Sequence, residues 1–506
     1  MTLRAVSVTS PVSAEQVVIG HDILSLISSA MYVEPMIIYR ELIQNAADAI
    51  DDAISTGVLK SNQGRVELQI DPLHRQVVLR DNGIGVTNDD FIQTMCAIGS
   101  SPKRGTKARG FRGIGRLVGL GYAQELVLRS RSRSDERVME AVWDARTLRD
   151  LLRSRHRAPL DEVVASVVKI TSRDATKDEP AHFFEAELRK IVRLADDRLL
   201  NAPAVERYLS EVAPVPFHPE FSQGAAITQF LKSHGPYPLL DVRVNGAKTP
   251  LARPYRDAVP ITASKIARIS DFEKIDIPAY DDGGRIAAVA WVAKHEYFGA
   301  VPRRLGVRGV RARVGNLQIG DERAFAEAFP EERFSDWAIG EVHVYDERIT
   351  PNGRRDAFEP SLHLSNLVGH LQVTGREVGR SARYSSVERR MERGLLSVQT
   401  ALREYTRLLK TSPEAYALRD ELFADVIAEM DKARRRLIGS DRQRWESEIA
   451  ALEKQMEKAK SVKVKHGKHI RERARGRVDV LKALRTEIPG GLSIATALLK
   501  VLPNSD

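Results

Sequence analysis

The stretch from Tyr39 to Ala53, YRELIQNAADAIDDA, constrains the fold more than any other part of this chain. Wound as a helix, it places Glu41, Asn45 and Asp48 at i, i+4 and i+7, stacking a carboxylate, a carboxamide and a second carboxylate on one stripe. Ile38, Leu42, Ala46, Ala49 and Ala53 fall on an adjacent stripe suited to a core. A polar stripe beside the apolar one, rather than opposite it, predicts the rim of a pocket. By itself the same pattern also reads as a surface helix with three solvated polar residues, so the sequence that follows has to decide.

The helix is predicted to end near Gly57. Arg65 to Ile70 (RVELQI) and Gln76 to Arg80 (QVVLR) then read as two strands joined by a turn, and the second runs directly into DNGIG, Asp81 to Gly85. An acidic side chain at a strand end, followed by glycines without side-chain bulk, lets a flat ring approach the backbone while one acceptor reads its amino group. Asp89 to Ile98 reads as a short helix, and Gly99 to Arg109 (GSSPKRGTKAR) as a loop. Next comes GFRGIGRLVGLG, Gly110 to Gly121, a glycine-rich backbone that opens onto a helix or turn and exposes N–H groups to phosphate oxygens; taken alone, it is also what a tight connection looks like.

RELIQNAADAID, DNGIG and GFRGIG, in this order, resemble the N, G1 and G2 boxes of the GHKL ATPases, which include gyrase, the ninety-kilodalton heat-shock chaperones, histidine kinases and the MutL proteins. The likeness to the chaperones, HtpG in bacteria, starts upstream at ILSLISSAMYVEPMIIYRELIQNAADAID and continues to Ala123. GFRGIGRL is intermediate between the chaperone lid and the GFRGEAL of MutL proteins, and no phosphoacceptor histidine box precedes the domain. The resemblance implies ATP and Mg2+ as ligands. It makes Glu41 the general base for the attacking water and Asn45 the magnesium ligand, with Asp81 the acceptor for the adenine amino group and Gly83, Gly85 and Asp48 around the base. Gly110, Gly113 and Gly115 would close a lid over the triphosphate, Ser100, Ser101 and Lys103 would lie near its phosphates, and Thr171 would share a water on the adenine side. ITPNGRRDAFE, Ile349 to Glu359, resembles the chaperone segment whose arginine reaches the γ-phosphate, with Arg355 as candidate and Arg354 as alternate. Arginine suits that role because its planar fork stays charged and grips an oxyanion with two hydrogen bonds.

At 506 residues the chain is too long for one core, so several domains are expected. A single cysteine, Cys96, rules out an internal disulfide and thiolate zinc clusters, as expected of a cytoplasmic protein. Neither the N-terminal stretch nor Gly491 to Leu502 predicts secretion or a membrane span. HFFEAELRKIVRLADD reads as a helix, LLDVRVNG, RIAAVAWVAKH, GVRGVRARVGNLQIG and IGEVHVYDE as strands, and Arg303, Arg304, Arg308, Arg311 and Arg313 as the wet face of one of them. Ser385 to Lys410, Ser412 to Leu437 and Asp441 to Ile488 read as long helices, the last with a seam of Trp445, Ile449, Leu452, Met456 and Ala459. Of the net charge of +10, most lies after residue 380, where 27 Lys and Arg face 18 Asp and Glu, and Lys458 to Arg477 is its densest run.

The expected architecture is α/β (α+β). A Bergerat-type ATP-binding sandwich of mixed sheet and helices occupies residues 14–195, an α/β transducer 196–380 and a helical, basic, partly coiled-coil region 381–506. The function implied is an ATP-hydrolysing, HtpG-like dimeric clamp acting on protein clients or partner proteins. The alternative is a MutL- or MORC-like clamp on DNA within a specialised bacterial multi-protein system, with Lys458 to Arg477 supplying phosphate contacts.

Overall fold

The computed structural model describes residues 34–96, 115–153, 160–193, 196–281, 284–411, 415–416, 418–435 and 442–461. The chain divides into two compact units, Met1–Gly379 and Arg380–Asp506. Among the described residues no helix is long and apolar enough to cross a membrane.

The first unit is built on the predicted opening helix, α1 (Ile37–Ser55). Its apolar stripe is buried, and it stops in a turn that explains Gly57: with φ at +74°, Gly57 donates to Ile54 and Val58 donates back to Ala53, satisfying two end carbonyls. A seven-stranded sheet backs the helix, in the order β5-β4-β3-β6-β2-β1-β7. Its strands are β1 (Arg65–Asp71), β2 (Gln76–Asp81), β3 (Glu125–Arg131), β4 (Arg137–Asp144), β5 (Val168–Asp174), β6 (Phe183–Arg189) and β7 (Asp241–Val244). Only the β1–β7 pair is parallel.

Two expectations change here. HFFEAELRKIVRLADD does not begin as a helix. Phe183–Arg189 is β6, inserted between β2 and β3, and its alternation sends Ala186 and Leu188 to the core and Glu185 and Glu187 to the other face. Those two glutamates read as a helix's polar residues, yet here they are the middle of a ladder across the sheet. Arg80 Nε reaches Glu185 at 2.7 Å, Arg129 Nη1 reaches Glu185 at 2.6 Å and Glu187 at 2.7 Å, and Arg129 Nε reaches Glu140 at 2.7 Å. The sheet also draws its last strand, β7, from beyond residue 195, where the ATP-binding domain was expected to end.

Helices α2 (Asn88–Cys96), α3 (Ala145–Arg153), α4 (Leu160–Val167) and α5 (Ala202–Val212), with a 3-10 turn at Gly115–Gly121, complete this half of the unit. After α6 (Gly224–His234) a small ribbon of β8 (Ala258–Pro260) and β9 (Ile266–Arg268) precedes a five-stranded sheet in the order β10-β11-β14-β12-β13. It comprises β10 (Asp271–Pro278), β11 (Ile286–Lys294), β12 (Gly309–Val314), β13 (Leu317–Ile319) and β14 (Ile339–Val344). Arg311 and Arg313 are not on a wet face. Both are almost fully buried, Arg313 against Glu341 at 2.7 Å and Arg311 against Glu211 at 2.9 Å.

Helix α7 (Leu362–Thr411) begins 23 residues before the predicted start at Ser385 and runs for 50 residues. In the second unit, α8 (Arg419–Arg435) and α9 (Arg442–Lys460) bury a shared apolar cluster with the C-terminal part of α7. Trp445, Ile449, Leu452, Met456 and Ala459 are all buried in it, the seam that the spacing predicts. The described residues end at Ser461, so most of the run from Lys458 to Arg477 lies outside them.

Candidate functional site

Helix α1 presents Glu41 and Asn45 half-buried and Asp48 buried, while its apolar residues enter the core beneath. The DNGIG turn lies directly against this helix. Ile84 N–H donates to the Ala49 carbonyl at 3.0 Å, and a Cβ on Gly83 would stand 2.6 Å from the Ala49 Cβ. Gly85 has φ at +74°, and a Cβ there would come within 2.1 Å of the Arg131 carbonyl oxygen. Both glycines are thus required by close approach, one to the helix and one to β3.

Asp81 closes β2 and is almost fully buried, its Oδ1 accepting from Gly83 N–H at 2.8 Å. In the β1–β2 register it pairs with Val66, whose side chain is in the core, so Asp81 faces the helical side of the sheet. Asn82 locks the same turn from outside, accepting from Arg65 N–H and donating to the Gln63 carbonyl, each at 2.8 Å. Asp48 and Asp81 are therefore brought to one region beside Gly83, with Glu41 and Asn45 further along the same helix.

Arg355 arrives from the far end of the unit. Its Nε lies 3.7 Å from Glu41 Oε1, with both side chains largely buried. Its backbone is in the left-handed region, φ +55°, uncommon for a residue with a Cβ. Two donors to its carbonyl hold it there: Gly320 N–H at 2.8 Å and Arg40 Nη1 at 3.1 Å. Arg40 Nη2 also donates to the Arg354 carbonyl at 2.7 Å, while the Arg354 side chain is exposed and pairs with Asp356 at 3.1 Å. Arg40 is a functional candidate that the motif reading passed over. Its signal was a basic residue beside the acid of the stripe, on a helix otherwise reserved for core and pocket.

Thr171 is not part of this cluster. It stands on β5, the edge strand separated from β2 by β4, β3 and β6, and is exposed. It pairs in register with Glu140, a member of the charged ladder, and its Oγ1 lies 3.4 Å from Glu140 Oε1, so it is on the face away from α1. The strand that meets Asp81 is instead β6, where Phe184 pairs with Asp81. Ser100, Ser101, Lys103, Gly110 and Gly113 lie outside the described residues, and Gly115 begins the 3-10 turn.

A helix carrying an acid, an amide and a second acid, with a strand-end aspartate and a two-glycine turn docked on it, is the arrangement that the resemblance to the GHKL class implies. Residues 34–166 match the family described as histidine kinase-, DNA gyrase B-, and HSP90-like ATPase. It is similar to the chaperone protein HtpG of Rickettsia canadensis (strain McKiel), 26% identical over 195 residues, or 35% of this chain and 30% of the relative. Over a shorter stretch of 92 residues, 17% of this chain and 14% of each relative, it is 40% identical to the HtpG of Photorhabdus laumondii subsp. laumondii and 37% identical to that of Buchnera aphidicola subsp. Acyrthosiphon pisum. The matched stretch thus spans less than a third of these relatives' length.

Proposed function

We propose that the chain binds and hydrolyses ATP and uses the cycle as an HSP90-like dimeric clamp on protein clients. The observation that carries this reading is the approach of Arg355 to Glu41, because a module that only held nucleotide would need neither a base nor a cation brought to it from a distant segment. In the proposed reaction Glu41 accepts a proton from water as the water oxygen bonds to the γ-phosphorus. The bond from phosphorus to the bridging oxygen breaks, ADP leaves with that electron pair, and the Arg355 guanidinium stabilises the negative charge on the γ-phosphoryl oxygens. Asp81 receives the adenine amino group, while Gly83 and Gly85 give the ring room.

The Asn45 side chain fits a role as magnesium ligand through its Oδ1, since a carboxamide oxygen is a hard donor of the kind Mg2+ takes, while its buried Nδ2 has no hydrogen-bond partner among the described residues and is left to a bound group. Bound there, Mg2+ would neutralise phosphate charge. The relatives' name, chaperone protein, supports protein clients rather than nucleic acid.

The deciding experiment combines calorimetry with a phosphate-release assay. Wild type should bind ATP and turn it over, and Glu41→Ala should bind ATP yet release no phosphate above background. Normal turnover by Glu41→Ala overturns the assignment of the base. Stimulation by duplex DNA, lost steeply with added salt, would replace the protein-client reading with the DNA clamp.

A further inference from the structure

We propose that His182 is the base-side positioning residue of the nucleotide site, holding the DNGIG turn so that the Asp81 carboxylate meets the amino group of adenine. This inference rests on the ATP-binding reading above. His182 precedes β6 by one residue and is half-buried, and its Nδ1 lies 2.8 Å from the carbonyl oxygen of Gly83. Gly83 is buried, so its carbonyl requires a partner, and the imidazole Nδ1–H supplies it.

The placement follows from the sheet. Phe184 pairs with Asp81, and strand alternation puts residue 182 on the same side as residue 184, the side that carries α1. The start of β6 touches the turn at a second point: Ser130 Oγ accepts from Val86 N–H at 2.8 Å and donates to the Phe183 carbonyl at 3.1 Å. Between them, His182 and Ser130 fix both glycine-bearing ends of the turn to the middle of the sheet. Among the described residues the other ring nitrogen, Nε2, makes no hydrogen bond, so the fold itself uses only the Nδ1 side of the ring.

What this contact governs is the orientation of Asp81. The Gly83 N–H donates to Asp81 Oδ1 while the Gly83 carbonyl accepts from His182, so one peptide on each side of Gly83 links imidazole to carboxylate. Releasing the carbonyl lets the turn rotate and moves the acceptor that distinguishes an amino-bearing purine from an oxo-bearing one.

The test measures Kd for ADP and GDP, with kcat and KM for ATP, in wild type and three variants of the full chain. His182→Ala should weaken ADP binding about fivefold to tenfold and narrow the ADP preference over GDP, with kcat at saturating ATP nearly unchanged. His182→Asn, whose amide N–H falls where Nδ1 stands, should restore affinity and preference. His182→Gln, which places its N–H where Nε2 stands, should not. Should His182→Ala fail to fold, the Asn and Gln pair alone decides. Unchanged ADP affinity in His182→Ala, or equal behaviour of Asn and Gln, overturns the proposal while leaving ATP binding in place. Failure of wild type to bind ADP or ATP overturns the ATP-binding reading itself and this inference with it.

Discussion

Arg40 Nη1 donates to the carbonyl oxygen of Arg355 at 3.1 Å, joining the residue next to the candidate base to a segment 315 positions away. With Nη2 on the Arg354 carbonyl, the guanidinium holds two successive main-chain oxygens, leaving the Arg355 side chain to face Glu41. Arg40 therefore acts through Arg355. Arg40→Ala is expected to lower kcat roughly 10- to 100-fold while changing nucleotide Kd by less than about threefold. Arg40→Lys, which lacks the planar fork, should recover only part of the loss. Steady-state kinetics beside calorimetry tests this, and full turnover in Arg40→Ala would sever the proposed link.

Arg354 and Arg355 are adjacent and alike in charge, yet only one faces the acid. Arg355→Ala should reduce kcat by about 100-fold or more, since it removes a charge aimed at the developing phosphoryl oxyanion. Arg354→Ala removes an exposed side chain paired with Asp356 and should leave kcat within about twofold. The opposite ranking would mean that the loop presents Arg354 to the nucleotide.

Gly57 and Gly85 share the same backbone angle, φ +74°, but differ in surroundings: nothing lies within 4 Å of a Cβ built on Gly57, whereas one on Gly85 meets the Arg131 carbonyl oxygen at 2.1 Å. Gly57→Ala therefore isolates the left-handed strain and should cost about 1 kcal/mol. Gly85→Ala adds a clash between β3 and the turn and should cost about 2–3 kcal/mol more, with loss of nucleotide binding. Denaturant unfolding of the two variants separates the terms, and equal costs would show that the turn moves away freely.

The parts of this fold that could be read from sequence are those in which local pattern and tertiary role coincide. Helix α1, the two strands that follow it and the Trp445 seam all keep the period of the element they form. β6 did not read as a strand because its outward positions, Glu185 and Glu187, are acidic residues paired across the sheet with Arg80 on β2 and Arg129 on β3, which no local window contains, and within one only with Arg189 at the end of their own strand. Arg311 and Arg313 read as solvated for the same reason, since their partners Glu211 and Glu341 are distant in sequence. Thr171 was assigned through the resemblance of VVKITS to a family strand, but β6, later in the chain, inserts beside β2 and leaves β5 at the sheet's edge. His182 could have been found only by knowing that insertion.

The second sheet contains a buried pair of titratable groups, His343 and Glu341. His343 is nearly fully buried beside Glu341, with its Nε2 3.1 Å from Glu341 Oε2, and Arg253 and Arg313 bind the same carboxylate. Burial pushes the imidazole down to about 4, outweighing the pull of Glu341 in the other direction. For Glu341, burial alone would raise the carboxyl, but the two guanidiniums hold it well below the usual range. Both native values are lower than in the unfolded chain, so the unfolded chain binds protons first as the pH falls, and stability is lost with acid. The contribution of His343 is complete above its ordinary value near 6.5 and declines as pH drops toward 4, with a slope of at most about 1.4 kcal/mol per pH unit. His343→Gln can keep a donor to Glu341 and does not titrate, so its unfolding midpoint should flatten between pH 6.5 and pH 4 relative to wild type, with Glu341 still producing a fall below that window. Parallel midpoint curves for wild type and His343→Gln across the window would show that the imidazole takes up its proton without unfolding the sheet.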